Sequence, residues 1–293
     1  MTMEDKMISN ILIAINTLVK NPIIEIKDYY SGRNRANSVG GALEEYIKDL
    51  FANTLNIEDT YTKNQKYSET FSYLGNQNNP PDMILKNGDA IEVKKNQGNA
   101  GSLALNSSYP KAKLYSDSSM IVEACKICED WDVKDIVYVV GNTDDNNLKS
   151  LWFVYGDCYA ADKEIYKKIK NTIAQGLNEI PNIELVKTNE IGGIKKVDPL
   201  GITNLRIRGM WHIAHPQKVY NYLPAKQINS EFKFYCIMKE EKFNSFTEED
   251  KSEIISLTKN NNDFFISDIK ILNPNNPAEL INAKLMEFYY GKI

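Results

Sequence analysis

Residues 78–95 read Asn78-Asn79-Pro80-Pro81-Asp82-Met83-Ile84-Leu85-Lys86-Asn87-Gly88-Asp89-Ala90-Ile91-Glu92-Val93-Lys94-Lys95. Two short apolar runs flank a polar turn centred on Asn87-Gly88 or Gly88-Asp89, which is the pattern of a β-hairpin. Side chains two apart on a strand share a face, so Glu92 and Lys94 point together while Val93 turns into the core. Asp82 opens the preceding antiparallel strand and lies near Glu92 across the ladder, with Pro80-Pro81 fixing how the chain comes in. Two carboxylates and the backbone carbonyl of Val93 then make a hard oxygen pocket suited to Mg²⁺, with waters completing the octahedron. Lys94 stands a side chain's length from a metal-bound water, the constellation that phosphodiester hydrolysis needs. The bland alternative is a solvated, salt-bridged hairpin.

Working outward, Ser38 to Phe51 carries apolar residues at 39, 43, 46, 47, 50 and 51, a helix with one buried stripe and Ser38 as its N-cap. At 100° per residue Glu44 borders that stripe and Glu45 lies across from it, so Glu44 can lean over whatever the helix packs on. A first helix is predicted over 3–20, strands over Lys66–Leu74 and Leu151–Tyr155, and a helix over Ala161–Leu177. Asp135–Gly141 is a near-continuous apolar run, the mark of a central strand covered on both faces, and 118–130 reads as helical. The last third reads as a strand at Lys233–Met238, a helix capped by Thr247, a strand at Phe264–Ile271 and a final helix from Pro277. Helices and strands interleave, so the class is α/β. No repeat or linker divides the 293 residues, which are expected to form one domain: N-terminal helices and a basic loop (1–60), a catalytic core (61–155) and a recognition and C-terminal part (156–293).

The N-terminus has an acidic start and an amphipathic segment instead of the basic flank of a signal peptide, and no apolar run approaches the roughly 20 residues of a membrane span. Four cysteines do not make a disulfide framework in a chain of this length, so a reducing cytoplasm is expected. Cys125-x-x-Cys128 is half of a zinc site for which His212-x-x-His215 is a distant other half; two small buried hydrophobes on one helical face are the favoured reading. Net charge is −4, against a polybasic binder, but the distribution of cations matters more than their sum. Of 35 Lys plus Arg only four are arginine, in two R-x-R pairs: Arg33 with Arg35, and Arg206 with Arg208. Lysine dominates elsewhere, so these positions either require a planar bidentate fork, as for phosphate or a guanine edge, or serve in structural ion pairs.

Pro-Asp, nine residues, Glu-x-Lys resembles the PD-(D/E)xK nuclease motif, and Glu44 stands on an upstream helix where such nucleases often supply a further glutamate. Four blocks, GRNRANSVGGALEEYIKDLFA, NNPPDMILKNGDAIEVKK, ALNSSYPKAKLYSD and DPLGITNLRIRGMWHIAHP, together resemble the NgoPII-like family of type II restriction endonucleases and span residues 32–216. The resemblance implies a restriction-endonuclease-like core, a central mixed sheet flanked by helices, with additional C-terminal α/β elements. It also implies Asp82, Glu92 and Lys94 as the catalytic set, Mg²⁺ dependence, cleavage of a short G·C-containing duplex site, and a cognate methyltransferase. Residues 217–293 carry no motif of the family.

Within the third block, Asn106, Ser107, Ser108, Tyr109, Lys111 and Lys113 suit phosphate contacts, the alternative being a solvated loop. In the fourth, alternation puts Arg206 and Arg208 on one face of an extended piece, with Leu205 and Ile207 anchoring the other, a two-pronged reader of guanine edges. Trp211 is expected as a core anchor, and His212 and His215 as hydrogen-bonding or structural groups. The Arg33 and Arg35 loop would be a second clamp on DNA. The resulting expectation is a C2 homodimer cutting both strands of a palindrome. Two readings compete: a catalytically silent DNA-binding module, which the intact Asp/Glu/Lys set disfavours, and a repair or structure-specific nuclease, which the R-x-R strand disfavours.

Overall fold

The computed structural model of the chain describes residues 9–30, 38–75, 79–98, 100–177, 179–180, 184–186 and 191–293. Helix α1 (Ile11–Lys20) is capped by Asn10, whose side chain accepts from the amides of Leu12 and Ile13, and it buries Ile11, Leu12, Ile15 and Leu18 at helical spacing. A turn of helix, α2 (Ile26–Tyr29), leads to α3 (Val39–Ala52), which Ser38 caps and Asn53 closes in the left-handed region at φ 52°. Next come α4 (Thr60–Thr70), β1 (Phe71–Leu74), the hairpin strands β2 (Met83–Leu85) and β3 (Ala90–Gln97), β4 (Leu103–Ala104) and β5 (Lys113–Tyr115). The middle of the chain forms α5 (Glu123–Lys126), β6 (Val133–Asp144), β7 (Asn147–Tyr155), α6 (Gly156–Tyr159) and α7 (Lys163–Leu177). After it run β8 (Glu184–Val186), β9 (Gly192–Lys195), β10 (Leu205–Ile207), β11 (His212–Ile213) and α8 (Pro216–Val219). The C-terminal part is β12 (Ser230–Lys239), α9 (Glu240–Ser245), α10 (Glu248–Asn260), β13 (Phe264–Asn273) and β14 (Asn276–Lys292).

The main sheet has the order β1-β2-β3-β6-β7-β12-β14-β13, with β5 also paired to β6. It is mixed: β3 with β6 and β7 with β12 run parallel, and the other pairs are antiparallel. Ile136–Val140 and Leu151–Tyr155 are buried without alternation, as strands covered on both faces must be. Helix α3 packs against β3. Gly141 on β6 makes the close approach possible, since a Cβ there would lie 2.6 Å from Cδ2 of Leu43 on that helix. A small sheet β10-β9-β8 and a two-stranded clip β11-β4 stand apart from the main one. Among the described residues no helix is long and apolar enough to cross a membrane.

Two charge clusters, one buried and one partly buried, brace this arrangement. Asp49 on α3 accepts hydrogen bonds from Tyr30 Oη (2.6 Å), Thr54 Oγ1 (2.6 Å), Lys63 Nζ (2.5 Å) and Tyr67 Oη (2.5 Å), joining α3 to α4. Lys242 on α9 bridges Asp89 in the hairpin turn (2.7 Å) and Asp135 on β6 (2.6 Å), while Tyr155 Oη donates to the other oxygen of Asp89 (2.6 Å). The C-terminal part is thereby pinned to the tip of the hairpin.

Three expectations from sequence give way. Residues 60–70 form α4 where a strand was expected from Lys66: Asp59 caps the helix, and Lys63, Tyr67 and Thr70 fall on one buried face because Asp49 offers the first two a partner. Only Phe71–Leu74 of that stretch is extended. The final helix expected from Pro277 is β14, the second strand of a hairpin with β13, inserted between β12 and β13 so that Leu285–Tyr289 are buried. Residues 118–130 hold only the single turn α5. The start of the first helix, at residues 3–8, lies outside the described residues.

Candidate active site

The hairpin delivers Asp82 and Glu92 to one place. Met83 pairs with Ile91 and Ile84 with Ala90, so Asp82 falls opposite Glu92 at the next step. The Asp82 amide donates to Ile91 O (3.0 Å), and its carboxylate Oδ2 accepts from the Val93 amide (2.6 Å), locking the side chain between Glu92 and Lys94. The Val93 side chain is buried, as the strand alternation requires. Lys94 Nζ lies 2.6 Å from Glu92 Oε1, whereas Glu92 Oε2 is buried with no hydrogen-bond partner. Burial, and then the charge of Glu92, push the Asp82 carboxyl up to about 8 against the pull of Lys94 and the Val93 amide. Burial opposes the Lys94 charge, but Glu92, Asp82 and Glu44 outweigh it and hold the ammonium above its ordinary value.

Glu44 is half-buried on α3, and burial raises its carboxyl, with Lys48 and Lys94 pulling the other way and Glu45 and Glu92 adding to the rise. It feels the hairpin charges without lining the cleft in front of them. Glu45 is engaged by Lys48 at 2.7 Å. Among the described residues no group of three or more His, Cys, Asp or Glu converges as a metal cage. What converges is a pair of carboxylates, the buried Glu92 with an orphan oxygen and the half-buried Asp82 holding its proton unusually tightly. That donor set fits a hard divalent cation, which relieves both the like-charge repulsion and the unmet acceptor.

A cleft of about 580 Å³ opens over these groups, lined by Asp82, Glu92 and Lys94 from the hairpin and by Asn106, Ser107, Ser108, Tyr109 and Lys111 from the loop after β4. Arg208 and Met210 form its far wall. The loop and that wall are clipped together: β4 pairs with β11, Leu105 N donates to Trp211 O (2.8 Å), and Trp211 N donates to Asn106 O (2.8 Å). Trp211 is half-buried, its ring edge-on to Tyr109 and Tyr166 with centroids 6.3 and 5.6 Å away.

The remaining sequence-derived positions separate. Lys113 forms ion pairs with Asp135 and with Asp157 (3.3 Å) and is not a cleft residue. Arg206 sits on β10 opposite Gly193 of β9, solvent-exposed like Arg208. Ile207 is half-buried but Leu205 is exposed, so the anchoring face of this strand is only half present. His212 is exposed on β11. His215 is buried as the cap of α8, its Nδ1 accepting from Gln217 N (3.1 Å), and burial followed by the Lys218 charge lowers its pKa to about 4. Arg33 and Arg35 lie outside the described residues. Cys125 is buried, and burial pushes its thiol up to about 12, in keeping with a small core residue. Sequence reasoning missed a lysine-rich hollow of about 360 Å³ beside the cleft, where Lys163, Lys167 and Lys170 of α7 face Tyr109 and Lys111. Their i, i+4, i+7 spacing was the available signal.

A mixed sheet flanked by helices, with an acid at the start of one strand and Glu-x-Lys on the next, is a restriction-endonuclease-like core. The chain belongs to the NgoPII restriction endonuclease family, whose profile matches residues 9–272, and so to the type II restriction endonucleases. It is 48% identical over 281 residues to the type II restriction enzyme NgoPII of Neisseria gonorrhoeae, covering 96% of this chain and 99% of that protein. No solved structure matches the chain.

Proposed function

We propose that the chain hydrolyses phosphodiester bonds of double-stranded DNA at a short G/C-containing palindrome in an Mg²⁺-dependent reaction, leaving 5′-phosphate ends, with Asp82, Glu92 and Lys94 as its chemical centre. The observation that carries the reading is the meeting of the Asp82 and Glu92 carboxylates and the Lys94 ammonium in the cleft, with the buried Glu92 Oε2 left unpartnered. Asp82, Glu92 and the Val93 carbonyl would hold the metal, and Glu44 would bias the site from α3. A bound Mg²⁺ supplies a Lewis acid that polarises the phosphoryl oxygen and acidifies water. Lys94, kept charged by its acidic neighbours, orients the attacking water and offsets charge at phosphorus.

In this reading the duplex backbone runs along the loop of Asn106, Ser107, Ser108, Tyr109 and Lys111, with Arg33 and Arg35 as a second clamp. Arg206 and Arg208 read guanine edges, with His212 and His215 as neighbouring hydrogen-bonding or structural groups. The exposure of both arginines supports this. The chain acts as one nuclease domain and as a C2 homodimer on a palindrome, in the cytoplasm, beside a methyltransferase that protects the host's own sites. The test is digestion of plasmid DNA with Mg²⁺ and sequencing of the ends. Discrete fragments with one common terminal sequence are expected, lost in Asp82→Ala and Lys94→Ala while a Ca²⁺ gel shift persists. A non-discrete smear, or unchanged cutting by either variant, refutes the reading; a discrete shift with no cutting by the wild type would leave a silent DNA-binding module.

A further inference from the structure

Lys94 has a carboxylate at 2.6 Å, but the cleft contains a second amine in a different setting. Lys111 is only 7% exposed, yet no carboxylate pairs with it among the described residues. Its Nζ donates to Ser108 Oγ and, at 3.5 Å, to the Tyr109 carbonyl, which leaves the third N–H of an ammonium for the cleft. Its backbone is fixed as well, because Lys111 N donates to Tyr138 Oη (2.8 Å), and Tyr138 pairs with Glu92 across β3 and β6. Lys111 is thus tied to the strand beside that of Glu92 and shares the cleft lining with both carboxylates without an ion pair to either.

A buried ammonium without a counter-ion is costly unless something from outside brings negative charge. In this cleft that something is the phosphodiester, an inference that rests on the proposed nuclease reading. The groups facing Lys111 are Glu92, Lys94, Asp82, Tyr138, Tyr109 and Arg208 on the cleft side, and Asp117, Asp162, Lys163, Lys167 and Lys170 on the side of the adjoining hollow. On the cleft side Lys94 is ion-paired with Glu92 at 2.6 Å, Asp82 and Glu92 are committed as oxygen ligands, and no histidine lines the cleft.

We infer that Lys111 is the general acid of the reaction, giving its proton to the departing 3′ oxygen of the cleaved strand. As the oxygen of water bonds to phosphorus, the P–O3′ bond breaks and its electron pair leaves on O3′. That oxygen takes a proton from the Lys111 ammonium, giving a 3′ hydroxyl and a neutral amine. The surplus proton of the attacking water passes to solvent, and the amine regains one from solvent. The environment suits an amine that must give up and recover a proton: burial lowers Lys111 to about 8, Glu92 opposing and Lys94 adding to the fall.

The experiment uses the full-length wild type, Lys111→Met and Lys111→Arg on two duplexes carrying the site mapped from the plasmid ends. One is ordinary DNA; the other has sulfur in place of the 3′ bridging oxygen at the cut, a leaving group that needs no proton. Lys111→Met is expected to cut ordinary DNA slower by on the order of 10²-fold or more, and the sulfur duplex with little or no loss. Equal losses on both duplexes, or no loss on ordinary DNA, overturn the assignment. If the wild type does not accept sulfur, Lys111→Arg decides: it keeps the charge but does not release its proton, so a loss like that of Met supports the role and near-wild-type cutting overturns it. A wild type that cuts no DNA fails the nuclease reading itself, a result distinct from any of these.

Discussion

Replacing Asp82 by Asn should make the metal-free protein more stable above neutral pH while abolishing its activity. The folded protein holds the Asp82 proton up to about pH 8, whereas an unfolded chain releases it near 3.8. Between those values the folded state keeps a proton that the unfolded state has lost, so folding weakens by up to about 1.4 kcal/mol for each pH unit gained. Above pH 8 the penalty is complete; below pH 4 it is absent. Asn carries no such dependence and can still accept the Val93 amide hydrogen bond. Asp82 and Glu92 share the repulsion, and side chains relax, so the realised gap from pH 5 to pH 8 should reach roughly 2–4 kcal/mol, below the ceiling of about 4. At roughly 2–4 °C per kcal/mol, this is a separation of about 5–15 °C in melting temperature. Thermal melts of both proteins in EDTA from pH 4 to 9 would measure it, and added Mg²⁺ should close the gap by stabilising the wild type alone. Superimposed pH profiles, or a variant less stable than wild type at pH 8, would refute the account of two repelling carboxylates awaiting a cation.

Asp49→Ala removes the buried acceptor shared by Tyr30, Thr54, Lys63 and Tyr67; urea unfolding should show a loss of about 3–5 kcal/mol, and a loss below about 1 kcal/mol would mean that these contacts are incidental. Lys242→Met removes the cation shared by Asp89 and Asp135, which keep only Tyr155 and Lys113 respectively, and a destabilisation of about 3 kcal/mol is expected in the same assay, with a larger pH dependence as the two carboxylates then repel. Arg206→Ala should reduce discrimination against a site altered at one guanine by about 1–3 kcal/mol, read as the ratio of cleavage rates on the two duplexes; equal losses on both would assign Arg206 to the backbone instead.

The hairpin that carries the proposed centre and α3 were legible because strand and helix periods leave unambiguous marks. Apolar runs around an Asn-Gly turn fix which residues face alike, and Ser38 with its 3.6-residue stripe fixes the helix that carries Glu44. Helix α4 escaped because its buried face is polar: Lys63 and Tyr67 are held in the interior by Asp49, 14 or more residues earlier in the chain, and no local window shows that. Pro277 imitated the first position of a helix, and only the neighbouring strands β12 and β13 made an extended conformation the better way to bury Leu285–Tyr289. The opposite surroundings of Lys111 and Lys113 were equally hidden, since which of two lysines meets a carboxylate depends on where Asp135 and Asp157 arrive in space.

The clip between residues 103–106 and 211–213 makes one rigid unit of two parts that a designer would treat as separable. Retargeting this enzyme by grafting the arginine arm of a cousin would carry along half a ladder and strand the other half, shifting Ser108 and Lys111 with it. Useful exchanges would cut outside both segments, so that the arm travels with its own loop, and libraries varying Arg206 alone should tolerate change better than libraries that lengthen residues 209–211.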